Sequence, residues 1–199
     1  IEDDDNYRFL KELEARWGKS IIRYTDGRDP YEVAEGEGII PNDMLATCSY
    51  ELKIKLVQDH VKHLQDDGAV VIVALGFDHK DAKPRPKKPQ GRLPDPRKRW
   101  AARNALVWYP LLEKSVLQFY VYGQTELPPV FDAEAIVASW GIQPPIMYQQ
   151  GYSHANCSGL CVKQGLRDWR RTLIHKQDKY RQAEHWESGM REFIARRQV

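Results

Sequence analysis

The sequence predicts an α/β fold with a Rossmann-like layered sheet, mainly parallel, with helices on both faces and a helical C-terminal segment. The first observation is the stretch AVVIVALGF (69–77), which is apolar throughout and of strand length. Such a run is typical of a strand covered by helices on both faces. The second is that amphipathic helical patterns precede and follow it. The third is the order of helices and strands, which is that of a layered α/β sheet.

The elements before the central strand alternate between helical and extended patterns. Apolar residues at helical spacing over 6–18, followed by the helix-ending Gly18, predict a first helix. The short β-branched stretch 20–25 predicts a strand. A turn-rich segment follows (26–43), in which PYEV is compatible with the start of one helical turn, and 44–64 has the spacing of a second amphipathic helix.

The central strand ends at Gly76 and Phe77. Ligands of open α/β sheets bind outside the carboxyl ends of the strands, so both residues are candidates to line a nucleotide site. Further along, 105–112 predicts a short strand, and 132–141 a short helix.

The tail from 162 to 197 has a mostly helical pattern. We therefore expect an α/β domain over 1–150. A cysteine-bearing loop and a helical segment (151–199) pack on it.

Composition is that of a globular protein, with 42% apolar and 29% charged residues and a net charge of +2. Its 199 residues suffice for one full-sized core. No apolar run approaches the roughly 18 residues of a membrane helix, so we expect no membrane partner. The acidic start IEDDD resembles neither a signal nor a transit peptide, which predicts a cytoplasmic protein.

The segment 80–103 is densely basic and rich in proline. Its prolines predict a long loop rather than a regular helix. Basic side chains neutralise phosphates with little sequence demand, so this loop is a candidate to hold a nucleic-acid acceptor, with Trp100 and Trp108 stacking on bases. The alternative is a solvated loop. The basic residues in question are Arg85, Lys87, Lys88, Arg92, Arg97, Lys98 and Arg99.

The three cysteines are the strongest chemical signal, and we take Cys48, Cys157 and Cys161 as candidate catalytic residues and metal ligands. In a cytosolic chain an odd number of cysteines favours metal binding or reactive thiols over disulfides. The C-x3-C pair lies in a glycine-containing turn, which can bring two sulfurs to one site. Cys48 precedes a helix, whose N-terminus favours the thiolate.

Three interpretations of the cysteines stay open. They hold a [4Fe-4S] cluster with one open iron, they hold zinc with His154 as the fourth ligand, or they are three thiols without metal. His154 and Asn156 are also candidates to orient a substrate or to polarise a phosphate. Lys163, just after the second cysteine of the pair, is a candidate anion contact.

Several stretches together resemble a known family. They are IEDDDNYRFLKELE, IIPNDMLATCSYELK, VVIVALGF, AIVASWGIQPPIMYQQGYSHANCSGLCVKQG and DWRRTLIHKQDKYRQAEHWE. In this order they resemble the phosphoadenosine-phosphosulfate-reductase-like branch of the PP-loop, or adenine nucleotide α-hydrolase-like, superfamily. The cysteine-bearing stretch is the most specific part, and the likeness spans nearly the whole chain.

The resemblance implies an adenine nucleotide ligand, ATP or an adenosine-phosphosulfate-type nucleotide. It places Glu2, Asp3 and Lys53 near that nucleotide, although acids at a helix start also fit the helix dipole. It also implies that Cys48 stands where iron–sulfur relatives carry a pair of cysteines, with Ser49 in place of the second. The natural count is then three protein ligands.

Two departures from the family modify this expectation. The SGGxDS phosphate loop is absent, and in the family it would precede the acidic IEDDD segment, so we expect that an N-terminal strand and loop are missing. The tail HWESGMREFIARRQV lacks the cysteine with which the true reductases attack sulfur. We therefore expect an ATP-dependent sulfurtransferase-like protein supplied by a redox or sulfur-donor protein. The alternatives are phosphosulfate reduction or a non-catalytic nucleic-acid-binding subunit.

Overall fold

The computed structural model describes residues 2–42, 45–84, 94–113 and 132–197. The chain divides into two compact units. The first is formed by residues 1–57 and 140–199, and the second by residues 58–139. The domain boundary expected at residue 150 falls inside the first unit. Each unit is described by itself.

The first unit begins with helix α1 (Asp4–Trp17), as the apolar spacing predicts. Asp3 caps it by accepting the N–H of Asp5, and Gly18 ends it with a φ of 64°, in the left-handed region that glycine adopts without strain. The strand expected at 20–25 is absent, and this prediction was wrong. The N–H of Ile21 donates to the Glu14 side chain at 2.7 Å and so is not used in a strand ladder, and Ile22 is 69% exposed.

Helix α2 (Pro30–Glu37) is longer than the single turn expected from its sequence. Asp29 and Glu32 form a capping box, in which each side chain accepts the backbone N–H of the other residue. Pro30 occupies the first turn, where its missing N–H is not needed. A cap of this kind stabilises a helix by about 1 kcal/mol.

The helix expected over 44–64 forms in two parts, a π-helical turn (Tyr50–Lys55) that runs directly into α3 (Leu56–Asp66). In the second unit, Val61 of α3 is buried against Trp100 and Ala105. The apolar spacing therefore identified the helix and its buried face, but it did not indicate the π-helical turn.

The second unit contains two parallel strands, β1 (Ile72–Ala74) and β2 (Leu106–Trp108), with Ile72 opposite Leu106. Parallel pairing requires a crossover, and this one includes α4 (His79–Ala82) and α5 (Pro94–Ala101). In β1 the burial alternates, because Val73 packs on the core cluster while Ile72 is 58% exposed. The described residues thus cover one face of this strand, and not both as its continuous apolar run indicated.

The basic segment is not a loop throughout. Residues 94–101 form α5, and the prediction of a long loop was wrong there because prolines in a first helical turn lose no hydrogen bond. Trp100 is 4% exposed in the core of the second unit, so it cannot stack on a base, whereas Trp108 is 41% exposed. Arg85, Lys87, Lys88 and Arg92 lie outside the described residues.

The remaining described elements of the second unit follow the sequence pattern. A 3₁₀ turn (Pro110–Leu112) follows β2, and α6 (Ala133–Ser139) begins after Asp132, whose side chain accepts the N–H of Ala135 at 3.0 Å. Both the strand predicted within 105–112 and the helix predicted within 132–141 are confirmed.

The first unit is completed by the C-terminal part of the chain, whose helical pattern is confirmed. The elements are α7 (Ile146–Gln149), a 3₁₀ turn (Asn156–Gly159), α8 (Leu166–His175) and α9 (Gln177–Arg197). One core cluster joins Tyr31, Leu160 and Ala183, and a second joins Met147, Tyr152 and Ala155.

The described part of the chain is therefore mainly helical, with one two-stranded parallel sheet, and is α/β in this coarse sense. None of its helices combines the length and the apolar character that a membrane span requires.

Candidate functional site

A cavity of about 340 Å³ in the first unit brings together most of the predicted site residues. Ligand pockets typically measure roughly 300–1,000 Å³, so its size suits a small ligand or cofactor. Cys48 reaches it from the turn that precedes the π-helix, and the C-x3-C pair reaches it from the 3₁₀ turn. The predicted residues that line it are Cys48, Lys53, His154, Asn156, Cys157, Cys161 and Lys163.

The 3₁₀ turn that carries Cys157 has a rare backbone conformation. Cys157, Ser158 and Gly159 have φ angles of 55°, 49° and 83°, three left-handed residues in succession. A left-handed residue with a side chain costs roughly 1–2 kcal/mol, so the surrounding structure has to hold this turn in place. Such outliers cluster at functional sites, and this one carries a candidate ligand.

Buried hydrogen bonds hold the turn through its last two residues, Ser158 and Gly159. The Gly159 carbonyl accepts from the Gln164 amide at 2.7 Å and from the Thr172 hydroxyl at 2.9 Å, and Thr172 is fully buried. The Ser158 hydroxyl donates to Asp3 at 3.2 Å, and Asp3 also pairs with Lys176. The acidic N-terminal segment, the cysteine turn and the end of α8 are thus joined by one polar network.

The three cysteines are free thiols with different electrostatic surroundings. The hydrogen bond from Cys157 lowers the pKa of Cys161, whereas burial raises it. Hydrogen bonds from His154 and from the Lys163 N–H lower this pKa further. The hydrogen bond to Cys161 and burial raise the pKa of Cys157 in turn. Cys161 is therefore the member of the pair that loses its proton more readily.

Cys48 does not behave as its position near a helix start indicates. Burial raises the pKa of its thiol, and the negative charge of Cys161 raises it further, while the N–H of Ser49 and the charges of Lys163 and Lys53 lower it less. Desolvation therefore outweighs the favourable contacts of Cys48, and the pKa of its thiol lies above the ordinary value.

His154 is held against Cys161. Their hydrogen bond raises the pKa of the imidazole, burial lowers it, and the charge of Cys161 raises it again. Its Nδ1 atom is buried and has no hydrogen-bond partner among the described residues. Within the same described ranges, no group of three or more His, Cys, Asp or Glu side chains is arranged to hold a single metal ion.

Glu2 and Asp3 lie beside the cysteine turn but do not line the cavity. Burial alone would raise the pKa of Asp3, but hydrogen bonds from Lys176 and the Asp5 N–H and the charge of Lys176 hold it below its usual range. Glu2 accepts from Asn6 at 2.9 Å, and Asn6 also donates to the Ala155 carbonyl at 2.7 Å. Asp3 thus acts here as a helix cap and an anchor of the turn, while its proposed place near a nucleotide stays a prediction.

Gly76 and Phe77 belong to the second unit and follow the carboxyl end of β1. Gly76 is exposed, and Phe77 stacks on Tyr109 with ring centroids 5.8 Å apart. Their predicted role at a ligand site remains a prediction.

Sequence reasoning missed the residues that support the site. Thr172, Gln164 and Lys176 hold the turn, yet they lie within or next to a helical pattern and show no motif. Tyr31 was also missed. Burial raises the pKa of its phenol well above the usual range, as do the charges of Asp29 and Cys161. The one sequence signal near Tyr31 is the Asp-Pro dipeptide before it, which indicates the start of a helix.

The backbone of the turn can be tested with Gly159→Ala, for which Gly141→Ala is the matched control. Gly141 has a similar φ of 77° with no atom within 4 Å of an added Cβ, whereas a Cβ at Gly159 would lie 3.0 Å from Thr172 Oγ1. We expect a loss of about 1–2 kcal/mol in the free energy of unfolding for Gly141→Ala and about 2–5 kcal/mol for Gly159→Ala. Equal losses for the two variants, measured by urea denaturation, would show that the Thr172 side chain moves aside for the added Cβ.

The network can be tested through pH with Asp3→Asn, since asparagine caps helices as well as aspartate does but carries no charge. Because folding lowers the pKa of Asp3, its stabilisation is complete above the unfolded value of about 4 and is lost as pH falls through the folded value. We expect the free energy of unfolding of the wild type to exceed that of the variant by about 1.5–3 kcal/mol at pH 7, and by less below about pH 4.

The control for this comparison is Asp4→Asn, which removes an exposed acid from the same helical turn. Thermal unfolding of the wild type and both variants, at pH 7 and below about pH 4, measures the differences in stability. A constant difference for Asp3→Asn from pH 7 to pH 2 would contradict the role of the Asp3 charge.

The chain matches no protein-family model, no curated protein and no solved structure. The resemblance to the PP-loop superfamily therefore stays a prediction, and the function of the chain has to be inferred from its own residues.

Proposed function

We propose that the chain is a PP-loop, phosphosulfate-reductase-like protein that couples adenine nucleotide binding to sulfur chemistry, in the manner of an ATP-dependent sulfurtransferase acting on nucleic acid. The observation that carries the proposal is the meeting of Cys48 with Cys157 and Cys161 at one cavity. The fold that goes with it is a Rossmann-like layered sheet, to which the parallel pair β1 and β2 and its helical crossover would belong.

The donor set of the cavity fits a [4Fe-4S] cluster bound through three cysteines. Thiolates are the ligands that such clusters use, so Cys48, Cys157 and Cys161 would hold the cluster. Lys53 and Lys163 line the same cavity and offset the negative charge of a thiolate-bound cluster. When bound, such a cluster supplies one iron without a protein ligand, at which sulfur can be held.

The residues around the cysteines have separable tasks in this proposal. Hydrogen bonds from Cys157 and His154 lower the pKa of Cys161 and so favour the thiolate, which is the form that binds metal and attacks sulfur. Lys53, Lys163 and Asn156 line the cavity, and ammonium and amide groups of this kind suit an anionic phosphate or sulfate group. The site therefore combines a sulfur-handling centre with contacts for an activated anion.

A nucleic-acid acceptor is supported by the charge of α5, a feature of the second unit. Its residues Arg97, Lys98 and Arg99 form a basic run, and the Arg97 guanidinium lies 5.1 Å from the centre of the Tyr109 ring. Basic side chains of this kind bind phosphates without demanding a base sequence. The acceptor contact is thus an electrostatic one.

The metal is tested by measuring iron, sulfide and zinc in protein that is purified and reconstituted without oxygen. We expect about four iron and about four sulfide per chain, the composition of the cluster. Cys48→Ala, Cys157→Ala and Cys161→Ala should each lose most of the iron. The matched control is Ser49→Ala, which changes the same cavity wall without removing a thiol and should keep it.

Two results would contradict the cluster. About one zinc per chain, lost in His154→Gln, would assign His154 as a ligand of a structural zinc site. Protein that takes up no metal would favour the non-catalytic nucleic-acid-binding subunit.

Phosphosulfate reduction is the second candidate, and the paired thiols of Cys157 and Cys161 favour it. The Cys161 thiolate would attack the sulfur of an adenosine-phosphosulfate-type nucleotide, forming an S-sulfonate and releasing the nucleotide phosphate. The Cys157 thiol would lose its proton and attack Cys161 Sγ, so that a disulfide forms and sulfite leaves. A dithiol reductant protein would then restore both thiols.

The two candidates differ in their product. For the reductase we expect sulfite from the phosphosulfate nucleotide and a dithiol, with a loss of at least a hundredfold in Cys161→Ala and in Cys157→Ala, roughly the cost of removing a nucleophile. For the sulfurtransferase we expect no sulfite, and pyrophosphate from ATP only when an acceptor is present. Chromatography of the nucleotide products separates them.

A further inference from the structure

A second cavity in the first unit, of about 480 Å³, is lined by aromatic side chains. Tyr31, Trp169 and Trp186 form its aromatic wall, and the rings of Tyr31 and Trp186 lie 4.5 Å apart between centroids. Its volume lies within the usual range of small-molecule sites. None of the sulfur chemistry proposed above uses these aromatic side chains.

Three residues that line this aromatic cavity have polar atoms without a partner. Among the described residues, none forms a hydrogen bond with Tyr31 Oη, Trp186 Nε1 or Gln164 Oε1. Tyr31 is 5% exposed and Gln164 is 8% exposed, so solvent does not satisfy them. Buried polar groups nearly always have partners, and these exceptions point to a ligand that supplies them.

The chemistry of these groups selects the class of ligand. Aromatic walls bind planar heteroaromatic rings by stacking, and they also bind quaternary ammonium groups. A quaternary ammonium offers no hydrogen bonds, so it would leave the indole N–H and the amide oxygen without partners. The acid that it would need, Glu187, is already paired with Arg191 at 3.0 Å.

We propose that the aromatic cavity binds a nucleobase. A base presents a π-face to the rings of Tyr31, Trp169 and Trp186, and its edge carries both donors and acceptors for the polar groups around them. The base can belong to a free nucleotide or to an unstacked position of a single strand. Both sources present the same chemistry to the cavity.

The aromatic cavity and the cysteine cavity share two lining residues, Val162 and Lys163. Lys163 therefore lies between the two cavities, and in this proposal its ammonium contacts the sugar-phosphate of a base bound in the aromatic cavity. The assignment of this base to the substrate of the sulfur chemistry rests on the proposed function. The binding of a base is independent of the proposed function, because it uses no cysteine.

The test is calorimetric titration of the protein with AMP and, separately, with a short single-stranded oligoadenylate. Trp186→Leu should weaken binding about 5- to 150-fold, the usual effect of removing one stacking partner. Trp186→Phe keeps a ring without the indole N–H, and should weaken it less. Trp17→Leu is the control, because Trp17 is 52% exposed on α1, and it should leave binding unchanged.

The outcomes distinguish a free nucleotide from a strand as the source of the base, and they distinguish failure of this proposal from failure of the proposed function. Binding of AMP identifies a free nucleotide, and binding of the oligonucleotide alone identifies a strand, provided that Trp186→Leu weakens it. A variant with all three cysteines changed to alanine should bind as wild type does, even if no cluster forms.

Three results would overturn the proposal. They are equal affinity for ribose 5-phosphate, binding of tetramethylammonium at the same site, and an unchanged affinity in both Trp186 variants. Circular dichroism shows which variants are folded. If Trp186→Leu is unfolded, Trp186→Phe is used in its place, and an unchanged affinity in that variant overturns the proposal.

Discussion

Three consecutive residues, Cys157, Ser158 and Gly159, are held in the left-handed region of backbone space. At roughly 1–2 kcal/mol for each of the two residues that have side chains, the turn is a local cost of about 2–4 kcal/mol. Hydrogen bonds to its Ser158 hydroxyl and its Gly159 carbonyl offset this cost. The position of Cys157 in the cavity depends on that balance.

The same hydrogen bonds join parts of the chain that are distant in sequence. Asp3 caps α1 and also receives the Ser158 hydroxyl and the Lys176 ammonium, while Thr172 of α8 binds the Gly159 carbonyl. A buried charge of this kind is stabilising only when it is fully paired. The acidic start of the chain is therefore part of the structure that shapes the cysteine site.

The sequence indicated most helices and the cysteine pair, because helical periodicity and thiol chemistry are local signals. It did not indicate that 20–25 lacks a strand, since β-branched residues form a strand only where a partner supplies the ladder. It also placed Trp100 at a surface on which a base could stack, whereas packing against Val61 and Ala105 buries it. Thr172, Gln164 and Tyr31 could not be identified, because their roles arise from tertiary contacts alone.

The π-helical turn Tyr50–Lys55 affects the geometry of the cysteine cavity. Cys48 and Lys53 both line the cavity although they are five positions apart, and on a regular α-helix such positions diverge by about 140° around the axis. A π-helical turn contains one residue more than an α-helical turn and so shifts the phase of the helix. The extra residue therefore lets two positions that are five apart face one cavity, as positions four apart do on a regular α-helix, where they diverge by only about 40°. The spacing of Cys48 and Lys53 along the chain is matched to this π-helical winding and not to a regular α-helix.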